Sequence, residues 1–379
     1  MSNTIIVGAG LTGSLLAIKI AKKYPRENIY LIDNSNNILS SFKPINLDGT
    51  KVNNGFHGLE INRSKKLFDF LKNEIKVEFK KFLIKRSLLI NCHFIQNTSY
   101  SKFPTDLKKD LRRKKFKSKS LNLLFKQLTG NYKKTLEVVS KKYYSTIKNS
   151  LQLLVPWFLP KEFDYISDDE GDKFRQTTKQ KNNFFAMPKK DNLFFDISHQ
   201  FEKKLKSYSN IIILKNSTLS IELNNIFVQT KKKSKKIFTN QIFITTMPTF
   251  FFKYFNNKEK LNIKKLTKNK RYFFLTKIKL KKKLNIYFSE ILCAIKNFIE
   301  LSRISKISYI KSNKELLLEL VYNEKEIDNK IFKRKIIHSL KPIIKNNKII
   351  KIRKKLSRKI FMPNNTDIIK CLKVIDKKV

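Results

Sequence analysis

The run Thr4-Ile5-Ile6-Val7 leads directly into Gly8-Ala9-Gly10-Leu11-Thr12-Gly13, and Asn28-Ile29-Tyr30-Leu31-Ile32-Asp33 follows one amphipathic stretch later. This order reads as strand, glycine turn, helix, strand and terminal acid, a unit suited to a dinucleotide. Gly8 permits the tight turn out of the strand, Gly10 lets backbone N–H groups approach a pyrophosphate, and Gly13 lets the helix pack close to the sheet. The phosphates would sit at the helix N-terminus, where unpaired N–H groups and the dipole favour an anion. Asp33, twenty positions past Gly13, is placed to accept hydrogen bonds from a ribose 2′-OH.

A glycine pattern of this kind recurs by chance in ordinary chains. Here the whole sequence holds only eight glycines in 379 residues, against an average near 7%, and three of them fall in this turn. A chain that spends scarce glycine at this spacing uses it for backbone geometry. The competing reading is an ordinary strand-to-helix turn in an α/β core.

Lys and Arg number 82 against 30 Asp and Glu, a formal charge of +52. Such a balance favours weak, salt-sensitive association with anionic surfaces. Lys, Asn, Ile and Phe are inflated together, however, and no helix-turn-helix, zinc-finger or RNP-type motif accompanies the charge, so no specific nucleic-acid partner is expected. Cys92, Cys293 and Cys371 are scattered thiols without C-x-x-C or disulfide-framework spacing, which fits a reducing cytoplasm. No basic-then-apolar leader and no apolar run of membrane-spanning length is seen, so a cytoplasmic location is expected.

Further along, Ile45 to Asn53 alternates around Asp48-Gly49, a hairpin signal. Asn54-Gly55-Phe56-His57-Gly58 places glycines on both sides of an aromatic-histidine pair, as if backbone passes close to something large. His57 is a weak catalytic candidate, since a lone histidine is more often structural. A helix is expected from about Arg63 to Leu71. From Lys102 to Ser150, including Asp106 to Phe116, the chain reads as basic and helical. Asp168 to Asp172 is an acidic cluster on a turn, read as a solvated loop and not as a metal site.

Phe184 to Pro188 leads into an expected helix from Leu193 to Lys206. Ile211 to Leu214 reads as a buried strand, Leu219 to Thr230 as a hairpin turning at Asn224-Asn225, and Ile242 to Pro248 as a strand rejoining the first sheet. Alternation from Arg271 to Tyr322 suggests an antiparallel sheet. A helix from Asp328 to Leu340 and a strand from Ile349 to Phe361 complete the pattern.

This order resembles the flavin-dependent superfamily that includes amine oxidases, protoporphyrinogen oxidase and UDP-galactopyranose mutase. The resemblance rests on Gly8 to Gly13 with Asp33, Asn54-Gly55-Phe56-His57, Phe103-Pro104, Phe185 to Pro188 and Ile242 to Pro248. It implies an α/β fold, a Rossmann-type FAD-binding domain with an interleaved helical and antiparallel-sheet substrate lobe. The implied division is 1–100 and 191–255 for the FAD-binding domain, 101–190 for a basic helical insertion and 256–379 for the rest of the substrate lobe.

The implied cofactor is FAD, held by Gly8, Ala9, Gly10, Leu11, Thr12, Gly13, Asp33, Asn34, Gly55, Phe56, His57, Met247 and Pro248. The implied chemistry is hydride transfer from a small-molecule substrate, anionic if the basic insertion serves it. A flavin-dependent mutase acting on a nucleotide sugar and a noncatalytic truncated relative are the alternatives, with a binding protein of another class behind them. Where relatives carry a glycine doublet and a basic residue after the second strand, this chain has Asn36-Asn37-Ile38-Leu39-Ser40-Ser41. No glycine follows Pro363, so loose FAD binding, or a partner chain that completes the flavin site, is expected.

Overall fold

The computed structural model describes residues 3–54, 58–61, 64–83, 86–90, 93–96, 100–110, 115–117, 129–130, 133, 164–166, 184–190, 193–222, 225–229, 234–239, 241–246, 270–284, 290–294, 302–305, 314–322 and 328–361. Two layered lobes emerge from them.

The first is built on β1 (Asn3–Val7), whose Thr4 to Val7 are all buried. A β-branched run without polar alternation suits a strand covered on both faces. β1 pairs in parallel with β2 (Asn28–Ile32) on one side and β16 (Gln241–Ile244) on the other, and β12 (Ile211–Leu214) extends the sheet beyond β2. The return of Ile242 to the first sheet is thus observed, although 237 residues separate Ile5 from its partner Ile242.

Between β1 and β2 runs α1 (Leu11–Lys23), which buries Gly13, Ser14, Ala17, Ile18 and Ala21. Small side chains at these positions let its axis approach the strands. The second helix, α2 (Lys65–Asn73), lies two residues later than its expected span and buries Phe68 and Leu71. The expected helix from Leu193 is shorter. Phe194–Ile197 is a 3-10 turn, and only Ser198–Lys206 is α-helical. The buried amide of Phe194 donates to Asn53 Oδ1 at 3.0 Å, and that of Asp196 to Leu193 O at 3.1 Å, which tightens the first turn.

β11 (Phe184–Pro188) is the middle strand of a small antiparallel sheet, between β5 (Leu59–Glu60) and β6 (Phe79–Leu83). The hairpin expected at Leu219 to Thr230 gains a third strand, giving the meander β13 (Thr218–Glu222), β14 (Asn225–Gln229) and β15 (Ser234–Ile237). In the basic insertion, Thr105–Asp110 is helical, but Phe116 lies in a strand, Lys115–Lys117, paired in parallel with Asp164–Ile166. Here strand pairing overrides a locally helical pattern. The Asp168 to Asp172 cluster and most of the insertion lie outside the described residues.

The second lobe is a seven-stranded sheet in the order β21 (Ile349–Phe361), β17 (Lys270–Leu280), β20 (Glu315–Tyr322), β19 (Ser302–Ser305), β18 (Glu290–Ala294), β7 (Arg86–Ile90) and β8 (His93–Ile95). All neighbours are antiparallel except β18 and β7. Strands β7 and β8, from the stretch 1–100, therefore belong to this second sheet.

One face of the sheet is covered by the helix Asn329–Ile344. Its Phe332, Ile336, Leu340 and Ile343 share a core with Phe274, Ile278, Leu316, Leu318 and Leu320. Asp328 caps that helix by accepting from Ile331 N at 2.8 Å. The sequence ended it at Leu340, yet it runs through Pro342 to Ile344. Pro342 costs one backbone hydrogen bond, and burial of Ile343 and Ile344 compensates. On the opposite face Leu275 and Leu317 meet Leu47 and Val52 of the hairpin β3 (Ile45–Leu47) and β4 (Thr50–Val52). Both turn residues, Asp48 (φ 54°) and Gly49 (φ 76°), are left-handed, as a tight twisted hairpin requires. Among the described residues no helix is long and apolar enough to cross a membrane.

Candidate nucleotide site

The carboxyl ends of β1, β2 and β16 meet the first turn of α1 around a cavity of about 210 Å³. Val7, Gly8, Gly10, Asp33 and Asn34 are among the residues that line it. Such a crevice beyond the strand ends is where ligands bind in open α/β sheets.

The three glycines of the turn have different reasons. Gly8 has φ +105°, and a Cβ there would lie 2.8 Å from Thr245 Oγ1. A Cβ on Gly13 would lie 1.9 Å from Gly8 O, so α1 rests directly on the turn. Gly10 differs. Its backbone is extended (φ −70°, ψ −175°), a conformation open to any residue, and a Cβ there would meet nothing within 4 Å. The protein's own packing does not require glycine at that position, yet it lines the cavity.

Gly10 is also the N-cap of α1. It supplies no side-chain cap, and the first turn carries no acidic residue, so the positive end of the helix faces the cavity with no acid of its own. The turn is braced from several sides. Gly8 N donates to Ile32 O at 2.7 Å, and Leu39 N donates to Ala9 O at 2.8 Å. Ala9 N donates to Asp33 Oδ2 at 2.7 Å, while Ser35 donates to Asp33 Oδ1 through its amide at 2.8 Å and its hydroxyl at 2.6 Å. Asp33 thus holds the turn, and a carboxylate retains further acceptor capacity for a ribose.

Of the other expected contacts, Leu11 is half-buried against the lobe's core and Thr12 is exposed on the helix. Gly55, Phe56, His57, Met247 and Pro248 lie outside the described residues. The neighbouring Gly58 has an internal explanation, because a Cβ there would stand 3.0 Å from the Phe185 ring.

Several cavity residues were not read from the sequence. Thr245 follows β16 directly, donates its amide to Val7 O at 2.9 Å and places its hydroxyl 3.0 Å from Val7 O and 2.9 Å from Gly8 O. Thr246, Ser40, Ser41 and Thr218 add hydroxyl groups to the lining. Ser40 and Ser41 occupy the place where the resemblance calls for a basic residue. Among the described residues the lining holds no lysine, arginine or histidine, despite the net charge of +52.

The profile of the NAD(P)-binding Rossmann-like domain matches residues 6–73. A comparison with the curated proteins finds no match. Among solved structures, a reduced UDP-galactopyranose mutase superposes with a TM-score of 0.68 at 12% identity, covering 100% of this chain and 88% of that one. A provisionally assigned protoporphyrinogen oxidase from Exiguobacterium sp. 255-15 gives 0.55 at 10% identity, covering 100% and 91%. Cyclohexylamine oxidase from Brevibacterium oxydans IH-35A gives 0.57 at 8% identity, covering 94% and 84%. Residues 6–73 thus match the NAD(P)-binding Rossmann-like domain, and the chain shares its fold with these three solved structures.

Proposed function

We propose that the chain is an FAD-dependent oxidoreductase of the amine oxidase and protoporphyrinogen oxidase kind, acting on a small organic substrate. The observation that carries this reading is Gly10. It lines the cavity at the uncapped end of α1, and neither its backbone angles nor its neighbours call for glycine. A ligand phosphate that must approach the backbone gives the missing reason.

FAD, when bound, would supply hydride acceptance. The residues of this chain would bind and orient it. The first-turn N–H groups of α1 would hold the pyrophosphate, Asp33 would accept from the ribose, and the hydroxyls of Ser40, Ser41, Thr245 and Thr246 would offer neutral donors to the phosphates. The cavity is smaller than the roughly 300–1,000 Å³ of a whole ligand pocket. It therefore suits the adenosine-diphosphate half of FAD. His57 is the candidate to touch substrate, and a His57→Ala variant that keeps its flavin but loses turnover would support that role.

The mutase reading has its own support in the TM-score of 0.68 to the UDP-galactopyranose mutase, against 0.57 for the amine oxidase. The absorbance spectrum of the purified protein tests the flavin assignment. Anaerobic addition of amines, porphyrinogens and nucleotide sugars then separates the two activities. Substrate-driven bleaching supports an oxidoreductase, and conversion of a nucleotide sugar that requires prior reduction supports a mutase. A protein that neither carries nor takes up flavin would sink both.

A further inference from the structure

Six large hydrophobic side chains are exposed among the described residues, and four of them lie on the helix Asn329–Ile344 and the strand β21 that follows it. They are Ile331 (48% exposed), Ile337 (46%), Ile350 (57%) and Leu356 (37%). The inward stripe of the helix, Phe332, Ile336, Leu340 and Ile343, is fully used against the sheet. The outward stripe is Lys330, Arg334, Ile337 and Lys341, at spacings of four, three and four residues, and all four are exposed. Ile331 and Lys333 flank it. The sixteen residues of the helix include no Asp or Glu.

The strand continues this surface. Lys354 Nζ lies 4.6 Å from the centroid of the Phe332 ring, so β21 runs beside the helix. Leu356 stands two residues from Lys354 and shares its face of the strand, and Ile350 stands at the register shift between Ile349 and Lys351. Exposed Lys345 and Lys348 fill the turn between helix and strand. None of Lys330, Lys333, Arg334 and Lys341 has an acidic partner among the described residues.

We propose that this helix-and-strand face is a docking surface for an anionic phospholipid bilayer, which it meets without crossing. Aliphatic side chains set among lysines match the two parts of such a surface. The isoleucines enter the acyl boundary, and the cations meet the headgroup phosphates. A polynucleotide would use the same charges but has little use for aliphatic side chains, since single strands are held by stacking on aromatic rings. A second copy of the chain would bring like charges together.

The experiment is co-sedimentation of the full chain with phosphatidylcholine vesicles, with and without about one-third phosphatidylserine. Binding is expected only with the anionic lipid. The pair Ile331→Ser with Ile337→Ser should weaken it about tenfold, the pair Ile331→Leu with Ile337→Leu should retain it, and Lys330→Gln with Lys341→Gln should weaken it by at least tenfold. Tyr24→Ser, exposed elsewhere, should change nothing. Single-stranded DNA binding by the Ser pair should match that of the unmodified chain. Melting curves confirm the fold, and Ile350→Ser with Leu356→Ser repeats the test on the strand. Vesicle binding that is indifferent to both Ser pairs overturns the proposal. So does an equal loss of DNA and vesicle binding, which would mark a polynucleotide face.

Discussion

Lys277 Nζ donates a 2.8 Å hydrogen bond to Thr50 Oγ1, joining a strand of the seven-stranded sheet to the hairpin that follows the nucleotide cavity. The same ammonium lies 3.2 Å from Glu315 Oε1, and the two side chains are only 9% and 15% exposed. The hairpin is held further by Lys351, 2.7 Å from Asp48, and by a hydrogen bond from Ser357 to Asn54. The segment that carries Asn34, Ser40 and Ser41 past the cavity is therefore anchored in the other lobe.

Removing one member of a largely buried ion pair leaves its partner uncompensated. Lys277→Ala should destabilise the chain by about 3 kcal/mol. Adding Glu315→Gln should restore part of that loss. Urea unfolding of both variants checks this, and a double variant no more stable than the single would remove Glu315 from the account.

The glycines of the turn separate stability from binding. Gly13→Ala puts a methyl group where only 1.9 Å separates it from Gly8 O, and should cost about 3 kcal/mol. Gly10→Val meets open space in the protein and should leave the melting temperature nearly unchanged while abolishing flavin uptake. Full flavin content in Gly10→Val would contradict the proposed site.

The first sheet was legible because its evidence is local. Gly8 to Asp33 lie within one continuous stretch, and a strand such as Ile211 to Leu214 announces itself by composition. The face assignments of β17 and β20 also follow from alternation, with Phe274 and Ile278 on one side and Leu275 on the other. Thr245 was not legible as a brace of the turn, because its contacts lie 237 and 238 residues away and a threonine at a strand end carries no signal of them. The membership of β7 in the second sheet was hidden for the same reason. Its partner β18 is some 200 residues distant, and parallel pairing leaves no turn between the strands to read. Pro342 stands inside a helix that continues past Leu340. Its ordinary meaning is the end of a helix, and the burial of Ile343 and Ile344 is a tertiary fact.

Glu202 supplies a pH-dependent tie. Its carboxylate lies 2.7 Å from Lys215 and 2.9 Å from Lys206, joining the helix Ser198–Lys206 to the residue after β12. Hydrogen bonds from Lys215 and then Lys206 hold its pKa below the ordinary 4.5. A depressed carboxylate pKa means that the stabilisation is present above about pH 4.5 and is lost as pH falls through the folded-state value. Glu202→Gln should therefore cost about 1 kcal/mol at pH 7 and almost nothing at pH 2. Urea denaturation at the two pH values measures the difference, and an equal cost at both would show that the charge is not responsible.

Among the described residues the cavity lining holds no lysine or arginine, which has a consequence for salt dependence. Contacts between surface cations and an anionic polymer release counterions, so affinity falls steeply with salt; six to ten such contacts lose about 10³ to 10⁵ between roughly 50 and 200 mM. A pyrophosphate held by backbone N–H groups, a helix end and the hydroxyls of Ser40, Ser41 and Thr246 has no such cationic contacts. A ligand in that crevice would be screened less than one at the open surface. The same chain should therefore show two distinct salt responses. FAD affinity, measured by equilibrium dialysis, should change by less than about threefold over that range, while binding to heparin or DNA collapses. Substituting Ser41→Lys should reverse the first behaviour, raising FAD affinity at low salt and making it salt-sensitive. If FAD binding to the unmodified chain falls as steeply as heparin binding, the cofactor is being held by the basic surface and not by the glycine turn.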